Sequence, residues 1–79
     1  MEIPHETRIR SIMQILHSLS AIDRSRAVRV SDIARLAGMR VEDVVDAVNK
    51  LRVLGYVNVE GDYVHLTQSA IIKLSSIYC

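Results

Sequence analysis

Phenylalanine and tryptophan are absent from these 79 residues, and three tyrosines are the only aromatics. Any core must therefore be aliphatic, filled by the isoleucines, valines and leucines that bring the hydrophobic fraction to 49%. The single cysteine, Cys79, excludes an internal disulfide framework. One proline and three glycines are too few for a linker or low-complexity chain, and the abundance of apolar residues excludes a disordered tail. Charge of one sign is lacking as well. Ten Lys plus Arg against nine Asp plus Glu leave a net charge of +1, so bulk charge selects no partner. No segment approaches the roughly 20 apolar residues that cross a bilayer. The N-terminus lacks the basic-then-apolar layout of a signal peptide, and a cytoplasmic protein is expected. The length admits one domain, residues 1–79, with a modest core. Eight arginines to two lysines, with only four amide side chains, point to a thermophilic source.

What is present is periodicity. Ile9, Ile12, Met13, Leu16 and Leu19 recur every three or four residues and predict one buried face of a helix from about Pro4 to Ser20. Pro4 suits the first turn, where a missing N–H costs nothing. The polar stretch Ala21–Ala27 reads as a loop, and Val28-Arg29-Val30 as a very short strand. Ser31 before Asp32 predicts a capped helix start, and Gly38 ends that helix after about two turns. A third helix is expected over about Val41 to Leu54. Its buried stripe is Val41, Val44, Val48 and Leu51, its outer face Glu42, Asp46, Asn49 and Val53, and Gly55 closes it. Tyr56 to Thr67 predicts a hairpin around a type II′ turn at Gly61-Asp62. That turn pairs Val59 with Val64 and Val57 with Leu66 on one face, and Asn58 with His65 on the other. Thr67 is placed to cap a last helix over Gln68–Tyr78. The expected class is α+β, mostly helical.

The stretch VSDIARLAGMRVEDVVDAVNKLRVLGYV, residues 30–57, resembles the core of the winged helix-turn-helix superfamily of small prokaryotic and archaeal transcription regulators. YVHLTQSAIIKL, residues 63–74, is similar to its returning wing strand and final-helix entry. Related layouts occur in multiple-antibiotic-resistance, arsenic-responsive and iron-dependent repressors. The resemblance implies a helix-turn-helix over about 31–54, a wing over about 56–67 and a C-terminal helix over about 68–78. It also implies duplex DNA as partner, with the third helix in the major groove. By the same resemblance the groove-facing residues are Arg40, Glu42, Asp43, Asp46, Asn49 and Lys50. Asn58, Tyr63 and His65 fall on the exposed side of the wing, beside a tip at Glu60-Gly61-Asp62.

The charges qualify that picture. Residues 41–49 carry Glu42, Asp43 and Asp46 and no cation, where many DNA-binding relatives carry Ser, Thr, Arg or Lys. Two of these acids stand in the first turn of the third helix, where the backbone dipole stabilises a carboxylate by about 0.3–1 kcal/mol. DNA binding then needs cations nearby, since counterion release from phosphates supplies much of the affinity. Residues 23–40 provide them, with Arg24, Arg26, Arg29, Arg35 and Arg40 against Asp23 and Asp32. Arg29, Arg35, Arg40 and Lys50 are expected on phosphates, and Asn49 on a base edge. The alternative is that these arginines pair with surface acids. The domain would then be a protein-interaction module whose acidic third helix meets a basic partner.

Other chemistry finds little support. His5, His17, His65 and Cys79 show no zinc-ligand spacing, and the three glycines are explained by helix ends and a turn rather than a phosphate loop. No nucleophile motif is present, so neither enzyme activity, a metal nor a cofactor is expected. The last helix carries more apolar residues than one face needs. Ile71, Ile72, Leu74, Ile77 and Tyr78 are expected to form a homodimer interface, which would also match a palindromic site.

Overall fold

The computed structural model describes residues 5–78, with side chains over residues 7–75. Pro4, Cys79 and the side chains of His5, Ile77 and Tyr78 lie outside the described residues. The first helix, α1 (His5–Ser18), buries Ile12, Met13 and Leu16. It ends in a left-handed turn. Ser20 has φ 57°, the Ala21 N–H donates to the Leu16 carbonyl at 2.9 Å, and the Ser20 N–H donates to the His17 carbonyl at 3.0 Å. Leu19, expected on the buried face, is 45% exposed, because the helix stops one residue before it. The same turn sends Ala21 inward. That residue was expected in a polar loop but is fully buried, and its carbonyl accepts the Leu66 N–H at 2.7 Å.

Serine in this conformation crowds its Cβ against the carbonyl that follows, which glycine avoids. The Ser20 hydroxyl has no hydrogen-bond partner among the described residues to offset the strain. Ser20→Gly is therefore expected to stabilise the fold by about 0.5–1 kcal/mol, a rise in Tm of roughly 3–6 °C by scanning calorimetry. A lower Tm would mean that the looser unfolded chain outweighs the strain relieved.

A single 3-10 turn, Arg24–Arg26, follows. Asp23 caps it by accepting the Ser25 hydroxyl at 2.7 Å and the Arg26 N–H at 3.1 Å. These bonds, the Ser25 one foremost, hold the Asp23 carboxyl below its usual pKa. Strand β1 (Val28–Arg29) then leads directly into α2 (Val30–Ala37). The expected cap at Ser31 is absent. Arg29 occupies the cap position without a side-chain bond to the helix start, and Ser31 lies inside the first turn. The reason is tertiary. Val30 is drawn into the core, and its N–H, one of the first-turn donors left without a partner inside the helix, reaches the Asp62 carbonyl at 2.9 Å. Gly38, at φ 65°, ends α2 as its sequence position suggests.

The third helix, α3 (Val41–Val53), buries Val44, Ala47, Val48 and Leu51. Val41, expected in that stripe, is 47% exposed, because it lies in the first turn beside an open groove. Past the helix, Gly55 at φ 81° lets the Tyr56 N–H return to the Leu51 carbonyl at 2.9 Å. Strands β2 (Val57–Glu60) and β3 (Tyr63–Leu66) pair in the expected register, Val57 opposite Leu66 and Asn58 opposite His65. Gly61 has φ 60° whereas Asp62 has no positive φ, as a type II′ turn requires. β1 joins the far side of β3, so the antiparallel sheet runs β1-β3-β2.

Thr67 caps α4 (Gln68–Tyr78) by accepting the Ala70 N–H at 3.3 Å. Its hydroxyl donates to the Gly55 carbonyl at 2.6 Å, tying the exit of α3 to the entry of α4. Of the residues expected at a dimer interface, Leu74 is instead buried in this chain's own core and Ile71 is half-buried against it. Among the described side chains of α4, Ala70 and Leu74 are buried, and β3 packs against the helix. Ile72 is 61% exposed. The architecture is thus α+β and mostly helical, with α1, α2 and α3 packed on one another and the sheet closing their open side. Among the described residues no helix is long and apolar enough to cross a membrane.

Candidate nucleic-acid interface

Two polar surfaces emerge from this packing. The first is the outer side of α3, which is exposed because the apolar stripe of Val44, Val48 and Leu51 commits the opposite side to the core. Glu42, Asp46, Asn49 and Lys50 are exposed there and have no side-chain partner among the described residues. Asp43 does not join them. It turns toward α1, 3.8 Å from the Arg8 guanidinium, and it accepts from Arg40 Nε at 3.4 Å. Arg35 is likewise paired with Asp32 at 3.1 Å.

The pairs made by Arg35 and Arg40 link residues one helical turn apart, and both guanidiniums are more than three-quarters exposed. Pairs of that kind contribute about 0.3–0.5 kcal/mol each. They are weak enough for a phosphate to displace the carboxylate. Between α3 and the hairpin runs an open groove of about 320 Å³, walled by Val41, Val45, Val48 and Val59, with Asn49 and Asp62 at its polar edge.

The second surface is the outer face of the sheet. Strand alternation that buries Val57, Val64 and Leu66 places Asn58, Glu60, Tyr63 and His65 on the other side. Arg29 reaches Tyr63 across the β1–β3 pair, donating from Nε to the phenol oxygen at 2.9 Å with its guanidinium carbon 5.4 Å from the ring centroid. The Tyr63 hydroxyl bond, more than any other contact, raises the Arg29 pKa, so its charge is permanent. Asn58 Nδ2 and His65 Nε2 lie 3.3 Å apart across the hairpin. Arg24 pairs with Glu60 on the same face. Arg52, in the last turn of α3, borders a polar recess of about 390 Å³ shared with Arg24, Asn58, Glu60 and His65.

The residues expected to act together therefore divide. Arg35, Arg40, Glu42, Asp46, Asn49 and Lys50 belong to α3 and its approach, whereas Arg29, Asn58, Tyr63 and His65 gather on the sheet. Arg52 carries no signal in helical periodicity beyond being polar. Its neighbourhood depends on how α3 feeds into β2 through Leu54, Gly55 and Tyr56, an angle that residue spacing does not encode. The chain matches no protein-family model and no curated protein sequence.

Proposed function

We propose that this chain is a winged helix-turn-helix domain that binds duplex DNA, with α3 in the major groove, as a transcription regulator. The main support is the pair of exposed, weakly held guanidiniums of Arg35 and Arg40 at the approach to α3, together with the unpartnered Asn49 and Lys50 along it. Arginine's planar fork suits phosphate, and asparagine can bond adenine through two hydrogen bonds. The hairpin beside the helix would serve as the wing. A homodimer is part of the proposal, with Ile72 the described apolar residue of α4 left to meet a second copy.

An electrophoretic mobility shift on random-sequence duplexes at two salt concentrations tests the reading. If Arg35, Arg40 and Lys50 each neutralise one phosphate, affinity falls about 40-fold between 50 and 200 mM salt. Absence of a shifted species at the lower salt would end the proposal.

A second reading is favoured by the valine-walled groove and by the free Glu42 and Asp46 beside it: a docking surface for a basic segment of another protein that carries apolar side chains. The variant Glu42→Gln with Asp46→Asn separates the two. Two carboxylates held within about 10 Å of phosphates oppose binding by roughly 1 kcal/mol in total, so the variant is expected to bind duplex about 5-fold more tightly. Unchanged duplex affinity would indicate that α3 does not approach DNA, and the protein-docking reading would replace the first.

A further inference from the structure

Beyond the outer side of α3, further arginines stand on and beside the sheet whose hairpin the duplex reading uses as a wing. On the outer sheet face and its margin stand Arg24 from the 3-10 turn, Arg29 from β1 and Arg52 from α3, with Glu60 paired to Arg24 and with Asp32 and Asp62 near Arg29. The outer side of α3 carries Glu42 and Asp46 in addition to Lys50, which stands in its last turn. An aromatic ring is exposed at the middle of the cationic face. Tyr63, 43% exposed, is held in place by the Arg29 bond to its hydroxyl, and the Arg29 guanidinium carbon lies over one side of the ring, 5.4 Å from its centroid. Two strand positions away are His65 and its cross-strand partner Asn58, whose ring and amide offer donors and acceptors toward solvent. The recess that adjoins them opens beside Arg52, whose guanidinium has no partner among the described residues.

We propose that this outer sheet face binds single-stranded nucleic acid, stacking a base on Tyr63 and Arg29 while Arg52 and Arg24 hold the flanking phosphates. The chemistry fits a single strand better than a duplex. An unpaired base offers its ring face for stacking and its edge for hydrogen bonding, whereas bases in a duplex hide their faces in the stack. A twisted three-stranded surface with one exposed ring and a guanidinium beside it accommodates a splayed base. Glu60 keeps Arg24 oriented across the sheet, and the exposed ion pair is one a phosphate can displace. Arg52 belongs to the last turn of α3, but none of these residues is among the α3 side chains on which the duplex reading rests.

The test is fluorescence anisotropy of a labelled 12-mer of thymidine at about 20 mM salt, with a labelled hairpin duplex of equal length in parallel. The native chain is expected to bind the single strand, and Tyr63→Leu to bind it about 10-fold more weakly. Tyr63→Phe keeps the stacking ring and is expected to stay within about 3-fold of native. Arg52→Ser is expected to weaken binding and to lower the salt slope by about 0.7. Lys73→Ser removes an exposed cation from α4 and is expected to change nothing, so that loss of net charge is separated from loss of a local contact. Circular dichroism of each variant shows whether it is folded, and exposed positions are expected to preserve the native spectrum. The proposal is overturned if the native chain does not bind the single strand, or if Tyr63→Leu binds as well as native. It is also overturned if both variants weaken duplex and single strand equally, since the face would then be a general phosphate surface. Because the α3 variants are read on duplex and these on the single strand, either proposal can fail without the other.

Discussion

A chain carrying Arg35→Ala and Arg40→Ala together is expected to bind duplex DNA roughly 10–60-fold more weakly at about 0.1 M salt. Two phosphate contacts contribute about 1.8 to the slope of log affinity against log salt. Extrapolated from 1 M to 0.1 M salt, that slope corresponds to an upper figure of about 60-fold. Against it stand the ion pairs to Asp32 and Asp43 that each arginine leaves when it meets a phosphate. At about 0.3–0.5 kcal/mol apiece these lower the loss to the bottom of the range. The fold should be unaffected, because neither side chain contributes to the core. Titration of a labelled duplex at several salt concentrations gives both quantities. A slope reduced by close to two units is the specific signature, and an unchanged slope would remove both arginines from the interface.

Leu51→Ala is expected to lose about 3–5 kcal/mol of stability, the second large effect. Leu51 is fully buried where α3 passes into the hairpin, and its carbonyl receives the Tyr56 N–H that shapes the turn at Gly55. A chain of 79 residues has a total stability of about 4–12 kcal/mol, so the substitution removes much of it. The buried core holds no aromatic ring, and Tyr56 packs only against its edge, so the cavity is expected to close in part at most. Urea denaturation followed by circular dichroism measures the loss. Val53→Ala, two residues along the same helix and 83% exposed, provides the contrast, with an expected change within about 0.5 kcal/mol. Equal effects at the two positions would contradict the assignment of the buried face.

The same helix shows how far periodicity reaches. Val44, Val48 and Leu51 are buried as their spacing requires, yet Val41 at the start of the same stripe is open to solvent. Spacing specifies the side of the helix a residue occupies, but not whether another element covers that side at that height. At Val41 the hairpin stands off and leaves a groove. Ser31 makes the same point for capping. A serine ahead of an acid is a sound local signal, and it was overridden because burying Val30 and bonding its N–H to Asp62 satisfied the helix start from a distance. Leu74 belongs to a helix whose composition suggests a surplus of apolar residues, and packing within the chain buries Leu74 and half-buries Ile71 while Ile72 stays exposed.

The candidate site follows this division. The exposure of Glu42, Asp46 and Asn49 on one side of α3 was legible from 100° steps along the helix, and the pairing of Asn58 with His65 from a two-residue turn with glycine first. These are short-range consequences of backbone geometry, in which each residue's direction is set by its near neighbours. Ion-pair partners were not legible. Nothing in the order of residues tells that Asp43 turns to Arg8, that Arg24 crosses to Glu60, or that Arg29 lies along Tyr63. The sequence by itself determined the four α-helices and three strands, their order, the hairpin register and the class, but not the 3-10 turn at Arg24–Arg26. Only the tertiary structure decided which cations are occupied and that the polar residues divide between two faces, because such contacts depend on the angles at which helices and strands cross. Those angles are set by the packing of the whole aliphatic core, to which every buried side chain contributes and which no local pattern encodes.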